Sequence, residues 1–315
     1  MMLEDSLQKP REACGVFGLY SRELSGELAQ RTYFGLYALQ HRGQESAGIA
    51  ISDGMRTTAV RDMGLVSQVF DPVRLAALEA GHIALGHVRY STTGSASWEN
   101  AQPEFHGRGE VNVAVAHNGN LVNAARLRDE LVAEGFSFNS TSDTTFIAAA
   151  VVAELEKDLG AVEAVSAAMR RLEGAYSVAM ICGDRLVAFR DPNGFRPLSI
   201  GEVDGGYAVS SETCGLDIIG ARFLRDVEPG EVVVIDDSGL ASHRTGGGRR
   251  SLCVFEYVYF ARPDSRFDGR EVADARRKMG ELLADEYPVE ADVVIPVPDS
   301  GIMAAVGYSR RSGIP

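Results

Sequence analysis

The sequence predicts an α+β fold, followed by the start of a second, α/β unit. Three observations support this. Short β-rich segments precede and follow a group of helical segments, which is typical of sheets and helices packed in layers. A Gly-rich, charged segment at 245–250 breaks the pattern. After it come a helical segment, a continuous apolar segment at 291–297 and another helical segment, in the order of a doubly wound sheet.

Apolar spacing and turn residues place the individual elements. Helices are predicted over 26–40, 121–134, 143–159, 161–172 and 269–285, with Ser142 or Asp143 as an N-cap. Strands are predicted over 47–52, 83–90, 111–117, 175–182, 185–190, 206–211, 231–236, 253–260 and 291–297. Tight turns or loops are expected at 91–97 and 118–120. The second unit is too short at Pro315 to complete its sheet, so we expect a truncated sequence.

Length and composition favour a two-domain enzyme that acts on small molecules. The 315 residues exceed the size at which a single core usually stops growing. The net charge of −13 argues against a nucleic-acid or anionic-membrane surface, and no apolar segment approaches the ~20 residues of a membrane span. The four cysteines lack CxxC spacing and disulfide-rich density, which is typical of a cytoplasmic protein.

Cys14 follows a short charged leader at 1–13, which has no apolar segment of the secretory type. If the leader is removed, Cys14 becomes the N-terminal residue. Its α-amine, with a pKa near ~8, can then accept the proton of its own thiol. An amide nitrogen cannot do this, so removal of the leader would activate the thiol. The alternative is that Cys14 is a small buried residue at the start of a strand.

Four polar segments carry the groups that hydrolysis of an amide on an amino-acid substrate requires. They lie at 40–44, 87–92, 117–120 and 141–144. An Arg can bind an α-carboxylate through two hydrogen bonds, an Asp can bind an α-ammonium, and Asn and Gly N–H groups can form an oxyanion hole. Each segment alone is compatible with an ordinary turn or cap, and the four together favour the catalytic interpretation.

Two groups of motifs resemble the amidophosphoribosyltransferase family in its precursor form. The glutaminase domain of that family is matched by CGVFGLY, LQHRGQESAGIA, GHVRYSTTG, AHNGNL and TSDT. Its linker and the opening of its phosphoribosyltransferase domain are matched by FEYVYFARPDS and VVIPVPDSG. The resemblance implies a propeptide at 1–13 and a four-layer αββα N-terminal-nucleophile (Ntn) hydrolase domain at 14–245. An incomplete α/β type I phosphoribosyltransferase domain would follow at 251–315.

The resemblance also implies the roles of individual residues. Cys14 would be the nucleophile, and Asn118 and Gly119 would form the oxyanion hole. Glutamine would be bound by Arg89 at its α-carboxylate, by Asp143 at its α-ammonium, and by the adjacent pair Arg42 and Gly43. Ammonia released through a thioester would pass internally to phosphoribosyl pyrophosphate (PRPP). The products would be 5-phosphoribosylamine and pyrophosphate, in the first step of de novo purine synthesis.

Further implications concern cofactors and partners. Mg²⁺ would accompany PRPP at a site expected beyond residue 315. Cys253 matches the first cluster cysteine of the iron–sulfur form of the family, so a [4Fe–4S] cluster is expected, with three ligands from beyond Pro315. The alternative is a structural thiol on a strand. Purine nucleotides are expected as feedback inhibitors, and a homo-oligomer is expected, a tetramer in the family.

Three other interpretations are open. Cys14, His117 and Asp143 could form a thiol-hydrolase triad, although the leader would then have no role. A metal site could be formed by His41, His87 and His117, although no two of them lie at ligand spacing in the sequence. The chain could also be a non-enzymatic regulatory or degraded fragment that lacks a folded second domain.

Overall fold

A computed structural model describes residues 14–90 and 97–315 of the chain. The predicted propeptide at 1–13 and most of the predicted loop at 91–97 therefore lie outside the described residues. Among the described helices, the longest apolar stretches fall short of what a membrane span requires.

Two antiparallel sheets dominate the described part of the chain. One has seven strands in the order β11-β9-β10-β1-β4-β2-β3, namely β1 (Gly15–Ser25), β2 (Ser46–Ser52), β3 (Thr57–Met63), β4 (Gly81–Arg89), β9 (Ser199–Val203), β10 (Gly206–Ser210) and β11 (Arg222–Asp226). The other has six strands in the order β13-β12-β8-β7-β6-β5, namely β5 (Glu104–Arg108), β6 (Val111–Leu121), β7 (Gly174–Cys182), β8 (Arg185–Arg190), β12 (Glu231–Asp236) and β13 (Gly239–Arg244).

Helices lie outside both sheets and near the C-terminal end of the chain. They are α1 (Leu28–Ala38), α2 (Val66–Val69), α3 (Pro72–Ala76), α4 (Ala124–Ala133), α5 (Asp143–Leu155), α6 (Ala161–Met169), α7 (Thr213–Asp217), α8 (Val272–Glu286) and α9 (Gly301–Ser312). A short hairpin, β14 (Arg266–Phe267) and β15 (Arg270–Glu271), precedes α8.

The two sheets stack face to face and form a four-layer αββα sandwich. Side chains such as Leu85 from one sheet and Val233 from the other fill the central core. Helices α4, α5 and α6 pack on the outer face of the six-stranded sheet, while α1 and α7 cover the seven-stranded sheet. Helix α1 lies so close to that sheet that a Cβ on Gly86 of β4 would lie 2.8 Å from the Thr32 side chain. The predicted α+β, four-layer class is confirmed.

The predicted turn at 118–120 is wrong, because β6 continues through these residues to Leu121. Asn118 pairs with Ser177 and Gly119 with Tyr176 of β7. On its other side, β6 pairs with β5 only over its first five residues. The Asn-Gly sequence therefore marks a one-sided strand end, where turn-forming residues are tolerated without a chain reversal.

Two strands predicted after the linker are also wrong. Residues 256–260 form a π-helical turn, which carries the carboxylate of Glu256 into the protein interior. Residues 291–297 form no ladder with any described strand, and Ile295 and Val297 are 80% and 82% exposed. The helices on either side of this segment, α8 and α9, pack against each other. The domain boundaries at 14–245 and 251–315 stay a prediction.

Candidate active site

Cys14 lies immediately before β1, the strand that pairs with β10 on one side and β4 on the other. The residue is 8% exposed. Its Sγ lies 3.5 Å from both the backbone N and the backbone O of Tyr90. Its carbonyl oxygen accepts a hydrogen bond from Arg42 Nε at 3.0 Å. Burial raises the pKa of the Cys14 thiol, a shift that the nearby Arg89 charge opposes and the Asp143 charge reinforces. The thiol is therefore neutral until a base removes its proton.

Arg42 lies in a short 3₁₀ turn, Gln40–Arg42, and its guanidinium is fully buried. Nη1 donates to Glu212 at 2.5 Å, and both Nη atoms donate to Glu256 at 2.9 Å. Burial alone would lower the pKa of Arg42, but the Glu256 and Glu212 carboxylates raise it above its ordinary value. The next residue, Gly43, has no room for a side chain, because a Cβ there would lie 2.5 Å from the carbonyl carbon of Val88. The turn thus packs directly on the end of β4.

Arg89 is the last residue of β4 and is 3% exposed. Its Nη1 forms an ion pair with Glu45, and the Glu45 N–H donates to the Arg89 carbonyl at 3.0 Å. Glu45 was not singled out from the sequence. A substrate carboxylate that reached Arg89 would join Glu45 at this guanidinium or displace it.

Asp143 begins α5, where the Ser142 hydroxyl caps the helix by accepting from the Thr144 N–H, as predicted. Asp143 Oδ2 accepts from the Leu121 N–H at 2.9 Å, and Oδ1 lies 3.5 Å from His117 Nδ1. Burial alone would raise the pKa of Asp143, but His117 and the backbone N–H groups hold it below its ordinary value. Asp143 is therefore an anion that a substrate ammonium could bind.

Asn118 is completely buried, and among the described residues neither its Oδ1 nor its Nδ2 has a hydrogen-bond partner. Such groups cost about 1–3 kcal/mol each. The adjacent Gly119 has φ +148°, and a Cβ there would lie 2.0 Å from the Ala175 carbonyl oxygen. Only glycine fits this backbone. The pair offers an unused amide donor beside a backbone that admits no side chain.

The predicted histidines have separate environments. Burial lowers the pKa of His87 to about 3, and its Nε2 lies 3.0 Å from the His117 carbonyl oxygen. His41 Nε2 lies 2.7 Å from Glu212. Within residues 14–90 and 97–315, no three His, Cys, Asp or Glu side chains come together as a metal site.

Cys253 is half-buried, and its N–H donates to the Phe195 carbonyl at 3.1 Å. It follows the exposed linker rather than lying on the predicted strand. One thiol does not fit a four-iron cluster, so the described residues by themselves do not form the expected [4Fe–4S] site.

A cavity of about 460 Å³ adjoins the site. Its wall includes Arg42 and Tyr90, which both contact Cys14, the segment 259–263 and the turn 298–300. It therefore extends from two residues that contact Cys14 to the turn that precedes α9.

The sequence interpretation missed the acidic partners of this site, namely Glu45, Glu212 and Glu256. Glu256 lies inside a quoted motif, but no local pattern marks it as a partner of Arg42, 214 residues away. Glu212 likewise had no signal, because its partners come from several distant segments.

Comparisons with known proteins show which families the chain resembles. The glutamine amidotransferase domain family matches residues 87–217. The amidophosphoribosyltransferase of Mycobacterium tuberculosis (strain H37Rv) is 50% identical over 99% of this chain and 60% of its own length. That of Methanocaldococcus jannaschii is 46% identical over 96% of this chain and 67% of its own length. The chain thus spans about 60% of the length of the first curated relatives it matches.

Two solved structures have the same fold. The glutamine PRPP amidotransferase from B. subtilis complexed with ADP and GMP is 43% identical and has a TM-score of 0.88, over 96% of this chain and 65% of that one. A structure described as the allosteric regulatory enzyme of purine biosynthesis is 44% identical with a TM-score of 0.90, over 96% of this chain and 64% of that one.

Proposed function

The chain belongs to the amidophosphoribosyltransferase family, and we propose that it carries the glutamine-hydrolysing half of that family's reaction. Cys14 releases ammonia from glutamine, and the whole protein transfers this ammonia to PRPP, with 5-phosphoribosylamine and pyrophosphate as products. This is the first step of de novo purine synthesis. The observation that carries the proposal is the buried position of Cys14, whose carbonyl oxygen accepts a hydrogen bond from Arg42 at 3.0 Å and whose thiol pKa responds to the charges of Arg89 and Asp143.

The chemistry begins with removal of residues 1–13, which frees the α-amine of Cys14. The amine takes the thiol proton, and the thiolate attacks the side-chain amide carbon of glutamine. Asn118 Nδ2 and the Gly119 N–H donate to the oxyanion that forms. The C–N bond then breaks, the amine returns the proton to the leaving nitrogen, and ammonia departs. Water hydrolyses the thioester, and glutamate leaves.

Substrate binding uses two charged groups that act on the pKa of the Cys14 thiol, Arg89 and Asp143. Arg89 binds the glutamine α-carboxylate through its planar guanidinium, beside or in place of Glu45. Asp143, held as an anion, binds the α-ammonium. Gly43 keeps the neighbouring backbone free of a side chain, and Arg42 supports this wall of the pocket from its buried position.

Ammonia transfer requires a path from Cys14 towards the PRPP site. The cavity beside Arg42 and Tyr90 leads towards the turn 298–300, which resembles the first ligand-facing turn of the transferase. We assign ammonia passage to this cavity. Mg²⁺, when bound with PRPP, would neutralise the charge of the leaving pyrophosphate, and no step of glutamine hydrolysis depends on it. The [4Fe–4S] cluster at Cys253, nucleotide feedback, a homo-oligomer and a cytoplasmic location remain part of the proposal.

The test uses protein purified from cells in its full-length form. Mass spectrometry should show loss of residues 1–13, and the processed protein should hydrolyse glutamine. Cys14→Ala should abolish glutamine use, while ammonia-dependent synthesis of phosphoribosylamine survives. A mature chain that retains the leader and still hydrolyses glutamine would overturn the mechanism. Equal loss of both activities in Cys14→Ala would make the residue structural.

One observation favours a thiol-hydrolase triad as a second candidate, namely the 3.5 Å approach of His117 Nδ1 to Asp143. The thiol, however, bonds to the Tyr90 backbone and not to His117 among the residues described. His117→Asn separates the two candidates. The proposed mechanism predicts a kcat for glutamine hydrolysis within about tenfold of the wild-type value, whereas a triad predicts a loss of about 10⁴ or more.

A further inference from the structure

We propose that Glu256 is a positioning residue for Cys14, and that glutamine hydrolysis therefore depends on docking of the segment that follows the linker. We call residues 251–268 the post-linker segment. The inference rests on the proposed function, because it assigns a cause to the geometry of the same nucleophile. It concerns a residue that contacts neither the thiol nor the expected substrate.

Glu256 acts on Cys14 through a single intermediate side chain. Its two carboxylate oxygens accept from Nη1 and Nη2 of Arg42, each at 2.9 Å. This fork fixes the plane of the guanidinium. The Nε donor of the same guanidinium then points at the Cys14 carbonyl oxygen, 3.0 Å away. The position of Glu256 therefore determines the orientation of the backbone of the nucleophile.

The arrangement is buried and electrically balanced. Arg42, Glu212 and Glu256 have fully buried side chains, and a second guanidinium, Arg196, lies 3.4 Å from Glu256. Two carboxylates thus face two guanidiniums without access to water. Removal of one carboxylate leaves a positive charge that must move towards another partner, because an uncompensated buried charge is unfavourable.

Glu212 joins the post-linker segment to the same guanidinium. One of its oxygens accepts from Arg42 and lies 2.7 Å from His41. The other accepts from the Arg262 N–H at 2.9 Å and the Ser265 hydroxyl at 2.6 Å. The post-linker segment therefore contacts Arg42 directly through Glu256 and indirectly through Glu212.

The post-linker segment is also docked along its length on the sandwich. The Ser251 N–H donates to the Asn193 carbonyl at 2.8 Å, and the Arg266 N–H donates to Thr213 Oγ1 at 3.0 Å. Between these anchors, the π-helical turn Glu256–Phe260 places Glu256 inward, and the Phe260 ring lies 5.5 Å from the Arg196 guanidinium. Glutaminase geometry is thus complete only when a segment outside the predicted glutaminase domain is in place.

The experiment compares Glu256→Gln with Glu231→Gln in the full-length, processed protein. Glu231 is a matched control, because it is also buried and binds Arg225 through both oxygens at 2.7 and 2.8 Å. Its other partners, Ser242 and the Glu228 N–H, are not among the residues assigned to the site. Both variants lose one carboxylate from an Arg pair. Only Glu256→Gln disturbs Arg42.

We expect Glu256→Gln to lower kcat for glutamine about 10- to 100-fold, since small misplacements of a reacting group have effects of this size. KM for glutamine should change less than about threefold, because Arg89 and Asp143 are untouched. Glu231→Gln should leave both constants near wild type. Rates are expressed per folded molecule, counted by near-ultraviolet circular dichroism. If Glu256→Gln does not fold, Glu256→Asp, which keeps the charge but shortens the fork, is measured in the same way.

A double-variant cycle tests the route through Arg42. In an Arg42→Met background, Glu256→Gln should change kcat by less than about threefold, because the intermediate side chain is already lost. Additive losses would overturn the inference, and so would equal kcat values for Glu256→Gln and Glu231→Gln. Absence of glutamine hydrolysis in the processed wild-type protein would instead refute the proposed function. The two failures are therefore distinguishable.

Discussion

Replacement of Asn118 by Leu should make the protein more stable and less active at the same time. Asn118 is fully buried, and both polar atoms of its side chain lack a partner within residues 14–90 and 97–315. Leu has nearly the same shape and removes both groups, each of which costs about 1–3 kcal/mol. After allowance for imperfect packing of the branched side chain, we expect a gain of about 1–2 kcal/mol in the free energy of unfolding. This corresponds to a rise in Tm of about 2–8 °C.

The activity should change in the opposite direction. Loss of one oxyanion-hole donor lowers kcat about 10²–10³-fold, or about 2.7–4 kcal/mol of transition-state stabilisation. The assay is glutamate release from glutamine under saturating substrate, measured beside urea unfolding of the same preparation. KM should change little, since the proposed mechanism places Asn118 at the reacting amide rather than at the amino-acid end of glutamine.

Asn100 provides the matched control for this prediction. It is also buried, but its side chain is bonded to Ser140 and Thr141, with distances of 2.9 Å and 3.1 Å. Asn100→Leu should therefore lower the free energy of unfolding by about 1–3 kcal/mol. If Asn118→Leu destabilises the protein as Asn100→Leu does, or if it leaves kcat unchanged, the assignment of Asn118 to the oxyanion hole is refuted.

Three further predictions concern single side chains. Arg89→Lys should raise KM for glutamine at least tenfold with a smaller change in kcat, because a carboxylate loses its planar partner in the ground state and the transition state alike; a KM within twofold of wild type would contradict the role of Arg89. Burial holds the pKa of His87 at about 3 in the folded state, whereas the pKa of an unfolded His is near ~6.5. Between these two pH values the unfolded chain binds one more proton than the folded protein, so the free energy of unfolding falls as the pH drops through this range. From pH 6.5 to pH 5, wild type should lose about 1.6 kcal/mol more than His87→Gln in urea unfolding, and parallel acid profiles would refute the assignment. Gly119→Ala should lower both Tm and kcat, since its Cβ would meet the Ala175 carbonyl oxygen at 2.0 Å; a wild-type Tm would show that β6 and β7 can separate there without cost.

The layered class of the fold could be predicted from the sequence because its signals are local. Helix α5 has a capping Ser142 followed by a run of small apolar residues, and the structure confirms both. Strands such as β2 and β8 have the composition and bounding turns of ordinary strands. The errors arose where the local signal and the tertiary environment disagree. The Asn-Gly sequence at 118–119 is typical of a turn, but pairing with β7 keeps it extended.

The candidate site could be predicted only in part, for a similar reason. Its polar residues stand at strand ends and turns, where motifs reveal them. No motif reveals their acidic partners, since an ion pair such as Arg42 with Glu212 joins residues 170 positions apart. A carboxylate in the sequence has no feature that distinguishes exposure from burial, so Glu45, Glu212 and Glu256 could be identified only after the chain was folded.

The chemistry of a buried thiol explains why the site departs from ordinary packing. Burial raises the pKa of the Cys14 thiol, so a base must assist formation of the thiolate at neutral pH, and the proposed mechanism places that base on the same residue. The α-amine can act as this base only if the Cys14 backbone is fixed in position. The hydrogen bond from Arg42 to the Cys14 carbonyl oxygen fixes it. Arg42 can remain charged in the interior only beside carboxylates, and one of these, Glu256, follows the linker. Under the proposed mechanism, a buried nucleophile therefore requires, through one guanidinium, the segment that follows the linker.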